Sequence, residues 1–313
     1  MVPPEVGDGR NGRYGSAGGW QDGPMPNAEL TSLHVYPVKG TRGLTLPEAT
    51  VEPWGLAGDR RWMLVDAEDR FITQRGFPTL ALISVTPLPG GGLRLALPGQ
   101  DPWEVPVPGP GAPAATVEIW KDKVRAVLGD AAASAGVSSF LGREVRLVHL
   151  ADPARDRLVD QEFAAPGETV SFADGYPLLV TTTGSLDALN ALIAGGDHAV
   201  EGPLPMERFR PNLVVSGTGA WDEDAWARVA VGEVTFKVAK MCGRCVVTTT
   251  DQRTAERGRE PLRTLSRHRR FGSQLVFGQN LIPESTGTVR AGDPVTVLAR
   301  RPVAAVSATA GTR

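Results

Sequence analysis

Residues 80–98 read LALISVTPLPGGGLRLALP, two short runs rich in Leu, Ile and Val joined by a Pro/Gly link. Runs of this length bounded by glycine and proline read as strands, and the link carries the residues that turn a chain back on itself. The same punctuation continues on both sides, with LTSLHVYPV (30–38), ATVEP (49–53) and RRWMLVDA (60–67) before it and TVEIW (116–120) and REVRLVHL (143–150) after it. GDAAASAGVSSFLG (129–142) breaks the pattern, its small residues and Leu-Gly end predicting a helix. A series of short strands with turn signals at this spacing predicts a β-barrel or sandwich.

Between residues 151 and 171 the chain turns polar and irregular, as expected of a crossing between domains. Beyond it, PLLVTTT (177–183), NLVVSG (212–217), ARVAVGEVTFKVAK (227–240) and CVVTTTD (245–251) are strand-like, and GTVRAGDPVTVLAR (287–300) closes the pattern. SLDALNALI (185–193) predicts an amphipathic helix capped by Ser185. The expected class is mostly β (α+β), with short helices. The expected divisions are a disordered leader over 1–27, a β-barrel-like domain over 28–150, a second β domain over 151–299 and a tail over 300–313.

The 313 residues carry 33 Lys and Arg against 35 Asp and Glu, a formal net charge of -2. No basic field exists to hold phosphate backbones, which excludes general nucleic-acid binding. The first residues lack the apolar core of a signal peptide, and no run reaches membrane-spanning length, so a cytoplasmic location without a membrane partner is expected. Two cysteines exclude a disulfide framework, and they exclude a four-cysteine zinc site or iron-sulfur cluster held by this chain alone. No Gly-x-Gly-x-x-Gly opens a helix, so direct use of a nicotinamide dinucleotide is not expected.

KMCGRCVVTTTD (240–251) is the sharpest local signal for chemistry. A structural zinc needs two further ligands, and none of the four histidines stands at ligand spacing from Cys242 and Cys245. A thioredoxin-like pair opens a helix, whereas the β-branched run after Cys245 predicts continuing strand. The third reading is two small buried residues in a strand or turn. In RFRPNLVVSG (208–217), Arg210 offers a planar fork of donors for phosphate or carboxylate and Asn212 adds neutral donors and an acceptor. VYPVKG (35–40) and GDRRWML (58–64) set Lys39 and Arg60 close to glycines, where backbone can approach a ligand. The acids of WDEDAW (221–226) read as turn caps, and the seven arginines of residues 253–270 as a solvated face or a donor contact.

Taken together, VYPVKG, GLAGDRRWMLVD, FITQR, RFRPNLVV, CGRCVVTTTD, PLRTL, FGQN and GTVRAGDPV resemble, in order, the MOSC family of molybdenum-cofactor proteins. The likeness is to its two-part members with an N-terminal β-barrel domain, the mitochondrial amidoxime reducing components and their bacterial relatives, over roughly residues 28–299. It implies a molybdenum cofactor (Mo-molybdopterin) with Cys245 as thiolate ligand to the metal, Cys242 as a neighbour, and Gly243 where relatives often carry Ser. It implies cofactor contacts from Lys39, Arg60, Asp174, Arg210 and Asn212; relatives often follow the acid with Thr-Ser where this chain has Gly175 and Tyr176. The implied activity is reduction of small N-hydroxylated compounds (amidoximes, hydroxylamines, N-hydroxylated bases), with electrons from a separate ferredoxin-, flavodoxin- or cytochrome-type protein. The alternative is a non-catalytic sulfur or molybdenum-cofactor carrier using Cys245.

Overall fold

A computed structural model describes residues 28–303, so the leader expected over 1–27 and the tail beyond Val303 lie outside the described residues. The first half runs β1 (Glu29–Val35), β2 (Leu44–Leu46), β3 (Glu48–Glu52), β4 (Gly55–Leu56), β5 (Trp62–Val65), β6 (Ser84–Pro87), β7 (Leu93–Ala96), β8 (Trp103–Val105), β9 (Ala114–Ile119) and β10 (Asp122–Leu128). Helix α1 (Ala131–Leu141), β11 (Arg146–His149) and the single turn α2 (Pro153–Asp156) follow. The second half holds β12 (Leu178–Thr182), α3 (Thr183–Ala194), β13 (Leu213–Ser216), β14 (Trp226–Val231), β15 (Val234–Gly243), α4 (Leu262–His268), β16 (Arg270–Phe271), β17 (Gln274–Pro283), β18 (Gly287–Arg290) and β19 (Val295–Arg300). The mostly β class is as expected. Within the 80–98 stretch Ser84–Pro87 and Leu93–Ala96 form β6 and β7, antiparallel with Val85 opposite Leu95, while Leu80–Leu82 close a 3-10 turn rather than opening the strand, and no helix among the described residues is long and apolar enough to cross a membrane.

The packing does not divide at residue 150. The large sheet has the order β19-β14-β15-β17-β12-β13-β1-β2, so β1 pairs with β13 of the second half, Leu33 opposite Leu213. Likewise β18 pairs with β3, Val289 opposite Ala49. Alternation, interrupted by a bulge between Leu30 and Ser32, explains the recruitment: Leu30, Leu33, Val35, Ala49, Val51 and Leu56 turn inward to one core with Val180, Val215, Trp226, Phe236 and Leu281. Residues 28–35 and 44–56 therefore belong to the second barrel by packing, and the first unit's own cores are built from Val38 and from Trp62 to Leu150, joined by Phe172. Its two sheets are β5-β11-β10-β9 and β6-β7-β8.

Two local expectations are corrected. Helix α3 begins earlier than the apolar period suggests, with Thr182 as its cap accepting the Ser185 N–H at 3.1 Å, while the Ser185 hydroxyl turns to the buried Glu223 at 2.7 Å. After Cys245 the chain makes a 3-10 turn over Val246–Thr249 rather than a strand. The hydroxyls of Thr248 and Thr249 bond back to the Cys245 and Val246 carbonyls at 2.9 and 2.8 Å, closing the turn against the β preference of the run.

Candidate functional site

The seven residues expected to form a site, Lys39, Arg60, Asp174, Arg210, Asn212, Gly243 and Cys245, line one cleft where the first unit meets the large sheet. Each lies at an element's end, where side chains escape the ladder. Lys39 follows β1, Arg60 precedes β5, Asp174 precedes β12, Arg210 and Asn212 precede β13, and Gly243 and Cys245 sit at and just past the end of β15.

Tyr36, absent from the sequence-based set, organises the cations. Its ring is buried, its hydroxyl donates to the Pro211 carbonyl at 3.0 Å, and the guanidinium groups of Arg60 and Arg210 lie over it at 4.5 and 4.2 Å. A cation within about 6 Å of an aromatic face is attracted to it, so one ring orders both arginines. The ring needs Gly43 beneath it, because a Cβ there would meet Tyr36 Cε1 at 2.4 Å. Both arginines hold left-handed backbone, φ 49 for Arg60 and φ 55 for Arg210, a conformation that costs a non-glycine residue roughly 1–2 kcal/mol. Such strain persists where surroundings fix it. Arg60 N–H donates to Tyr36 O at 2.8 Å, Arg60 O accepts from Phe172 N–H at 3.0 Å, and Arg60 pairs with the buried Asp59.

Asn212 is fully buried, with Oδ1 accepting from Leu179 N–H at 3.2 Å and Arg60 Nη1 at 3.3 Å, while Nδ2 donates to His34 O at 3.1 Å. It ties β1, β12 and Arg60 together beneath the cleft, which limits what it can offer a ligand. Lys39 donates to Phe172 O at 2.8 Å and to Asp174 Oδ1 at 2.5 Å, its side chain 7% exposed against 62% for the carboxylate. Burial pushes Lys39 down to about 8, against the pull of Asp174. The charge and hydrogen bond of Lys39 hold the Asp174 carboxyl well below the usual carboxylate range. Burial, with repulsion from Arg60 added, pushes Arg210 down to about 10. Arg157 fixes the adjoining backbone, donating to Ser171 O at 2.9 Å, to Ala173 O and to Asp174 O at 2.7 Å.

Two further arginines reach the cysteines. Arg75 Nη2 is 3.4 Å from Cys245 Sγ, and Arg244 Nη1 is 2.9 Å from Cys242 Sγ. The signal for both was present, in FITQR and in Arg244 between the cysteines, but nothing local shows that residue 75 arrives beside residue 245. Among the lining side chains, Lys39, Arg60, Arg75, Arg210 and Arg244 face the single carboxylate Asp174, and Arg244 Nε is buried without a partner. That excess of fixed positive charge calls for an anionic ligand with many acceptors. A phosphate-bearing pterin with a soft metal on the Cys245 sulfur has that chemistry, so the residues present fit the group. No three His, Cys, Asp or Glu side chains gather as a metal site among the described residues, which leaves a zinc on the cysteine pair without further ligands.

The arginine-rich segment contributes less than its charge suggests. Arg269 is buried against Asp224 at 2.6 Å, Arg263 and Arg267 meet Asp197 at 3.3 and 2.5 Å, and Arg257 donates to the Gln74 and Arg75 carbonyls behind the cleft. WDEDAW is structural: Asp222 meets Trp226 Nε1 and Arg300, and Asp224 accepts from Gln279 at 2.8 Å.

Comparison with known proteins matches two family models in order along the chain. The MOSC N-terminal beta barrel domain matches residues 27–144 and the MOSC domain matches residues 167–296. The chain is similar to mitochondrial amidoxime-reducing component 1 of Homo sapiens, 31% identical over 291 residues, covering 86% of this chain and 82% of that protein. The Mus musculus counterpart is 33% identical with the same coverage. Molybdenum cofactor sulfurase of Danio rerio is 30% identical over 283 residues, covering 86% of this chain but 33% of that protein. With both matches in order and this identity across most of its length, the chain belongs to the MOSC family, in the two-part form of the amidoxime-reducing components.

Proposed function

We propose that the chain is a molybdenum-cofactor-dependent oxidoreductase that reduces small N-hydroxylated compounds, with electrons from a separate donor protein. The observation that carries this reading is the meeting of the Cys245 thiol with Lys39, Arg60 and Arg210 in one cleft. When bound, the group supplies a two-electron redox centre; the net reaction takes two electrons and two protons and turns N–OH into N–H and water. Cys245 is the thiolate that holds the metal, a soft anionic ligand suited to it. Arg210, Arg60 and Lys39 hold the anionic end, and at Gly243, which has no side chain to offer, the contact comes from the backbone. Asp174, kept ionised by Lys39, accepts hydrogen bonds at neutral pH and does not donate its own proton.

The test is metal analysis of protein from a host that makes the cofactor, with amidoxime reduction driven by reduced viologen. About one molybdenum per chain and turnover are expected, with both lost in Cys245→Ser and substantial metal kept in Cys242→Ser. Stoichiometric zinc, or equal loss of molybdenum in both variants, overturns the ligand assignment. Full molybdenum without turnover on any N-hydroxylated substrate favours a carrier.

A further inference from the structure

Beside the cleft lies a groove of about 940 Å³, within the range of about 300–1,000 Å³ that small-molecule sites occupy. The two are continuous at Asp174 and Gly175, which line both. Arg75 forms a second link: it lines the cleft beside Cys245 and lays its guanidinium 4.5 Å over the indole of Trp120, which lines the groove.

Trp120 turns the chain from β9 to β10 with left-handed backbone at φ 55, and its ring packs edge-on to Phe71 at 5.1 Å. Even so, it is 49% exposed, and Leu158 on the same groove is 52% exposed. Few large apolar side chains stay this open among the described residues, and two of them line one groove joined to the candidate site. An indole pinned between Arg75 and Phe71 has little freedom left to lose when a flat ring stacks on it, which favours binding. Arg157 is committed to Asp122 and backbone carbonyls, and Lys240 meets Asp160 and Glu162 at 3.9 and 3.6 Å, so the charges around the groove are largely paired and the two apolar side chains are its open features.

We propose that this groove seats the flat apolar body of the substrate, with Trp120 and Leu158 as its walls, while the N-hydroxyl end passes Arg75 and Asp174 toward Cys245. The inference rests on the reductase reading and adds Trp120 and Leu158 as the residues that set the preference of that site for a flat ring on the substrate.

Two measurements on the purified protein separate the claims. In viologen-driven turnover, Trp120→Ala raises KM for benzamidoxime about tenfold with kcat within twofold, leaves KM for N-hydroxyguanidine unchanged, and is rescued by Trp120→Phe. Benzamidine titrated into the same protein with fluorinated tryptophans shifts the Trp120 resonance, and Leu158→Asp weakens that shift. An unchanged KM ratio in Trp120→Ala, with wild type reducing both substrates, overturns the groove and leaves the reductase reading standing. A Trp120 shift from benzamidine in a wild type that reduces nothing overturns the substrate assignment together with the reductase reading, leaving an aryl site.

Discussion

At the scale of single residues, Tyr36 has more to lose than its place outside the charged set suggests. It orders Arg60 and Arg210 through its ring and reaches Pro211 through its hydroxyl. Tyr36→Leu is expected to cost a few kcal/mol, two cation–π contacts of about 0.5–2 kcal/mol each and a buried hydrogen bond of about 1 kcal/mol. It should also weaken binding of inorganic phosphate to the cofactor-free protein by more than tenfold. Tyr36→Phe should lose only about 1 kcal/mol and keep phosphate binding. Calorimetric titration and thermal melts check both, and equal phosphate affinity in Tyr36→Leu defeats the claim that the ring orders the cations. The charged residues were legible because each sits in a short motif beside a turn. Tyr36 was not, since a tyrosine between Val35 and Pro37 reads as strand, and its stacking partners lie 24 and 174 positions away.

At the scale of elements, the start of α3 carries a buried acid. The hydroxyls of Thr182 and Ser185 meet Glu223 Oε2 at 3.1 and 2.7 Å, while Oε1 is buried without a partner. Burial pushes Glu223 up to about 7. Its folded-state value lies above its unfolded one, so the native chain binds more protons between about pH 4.5 and 7. Stability from this group is full below that window, falls as pH rises through it and levels off above, by roughly 1.4 kcal/mol per pH unit. Wild type minus Glu223→Gln, measured by denaturant unfolding from pH 5 to 8, should therefore show a stability difference falling by roughly 2–3 kcal/mol. A flat difference means that Glu223 is ionised throughout. Strand and helix periods gave most elements of this region, but the cap could not be placed, because Thr182, Thr183 and Ser185 all suit a helix start. The acid across the fold takes the Ser185 hydroxyl and leaves the cap to Thr182.

At the scale of the whole molecule, the barrel of the second half is completed by the first strands of the chain. Local pattern showed β1 and β3 as strands but not the short β2 and β4, pairing over nearly 200 positions leaves no local trace, and the polar stretch after residue 151 looked like the natural seam. Ala28, Leu30, Leu33, Val35, Ala49, Val51 and Leu56 all sit in the second barrel's core. Fully burying a side chain of the larger kind is worth about 1.5–3 kcal/mol, so their sum matches the whole stability of a typical domain, about 5–15 kcal/mol. A fragment of residues 151–303 should accordingly lack a cooperative thermal transition and bind apolar dyes. Removing residues 28–56 also strips Lys39 from the cleft and leaves the edge of β13 unpaired, an invitation to aggregation. Co-expression of residues 28–150 with 151–303 should recover a soluble complex with a single cooperative melt, since the cut falls between β11 and α2 and spares both β1 pairings. If the 151–303 fragment alone unfolds cooperatively, the second half carries its own core and β1 is an accessory edge; if it does not and the two-fragment complex does, the fold closes from its first strand.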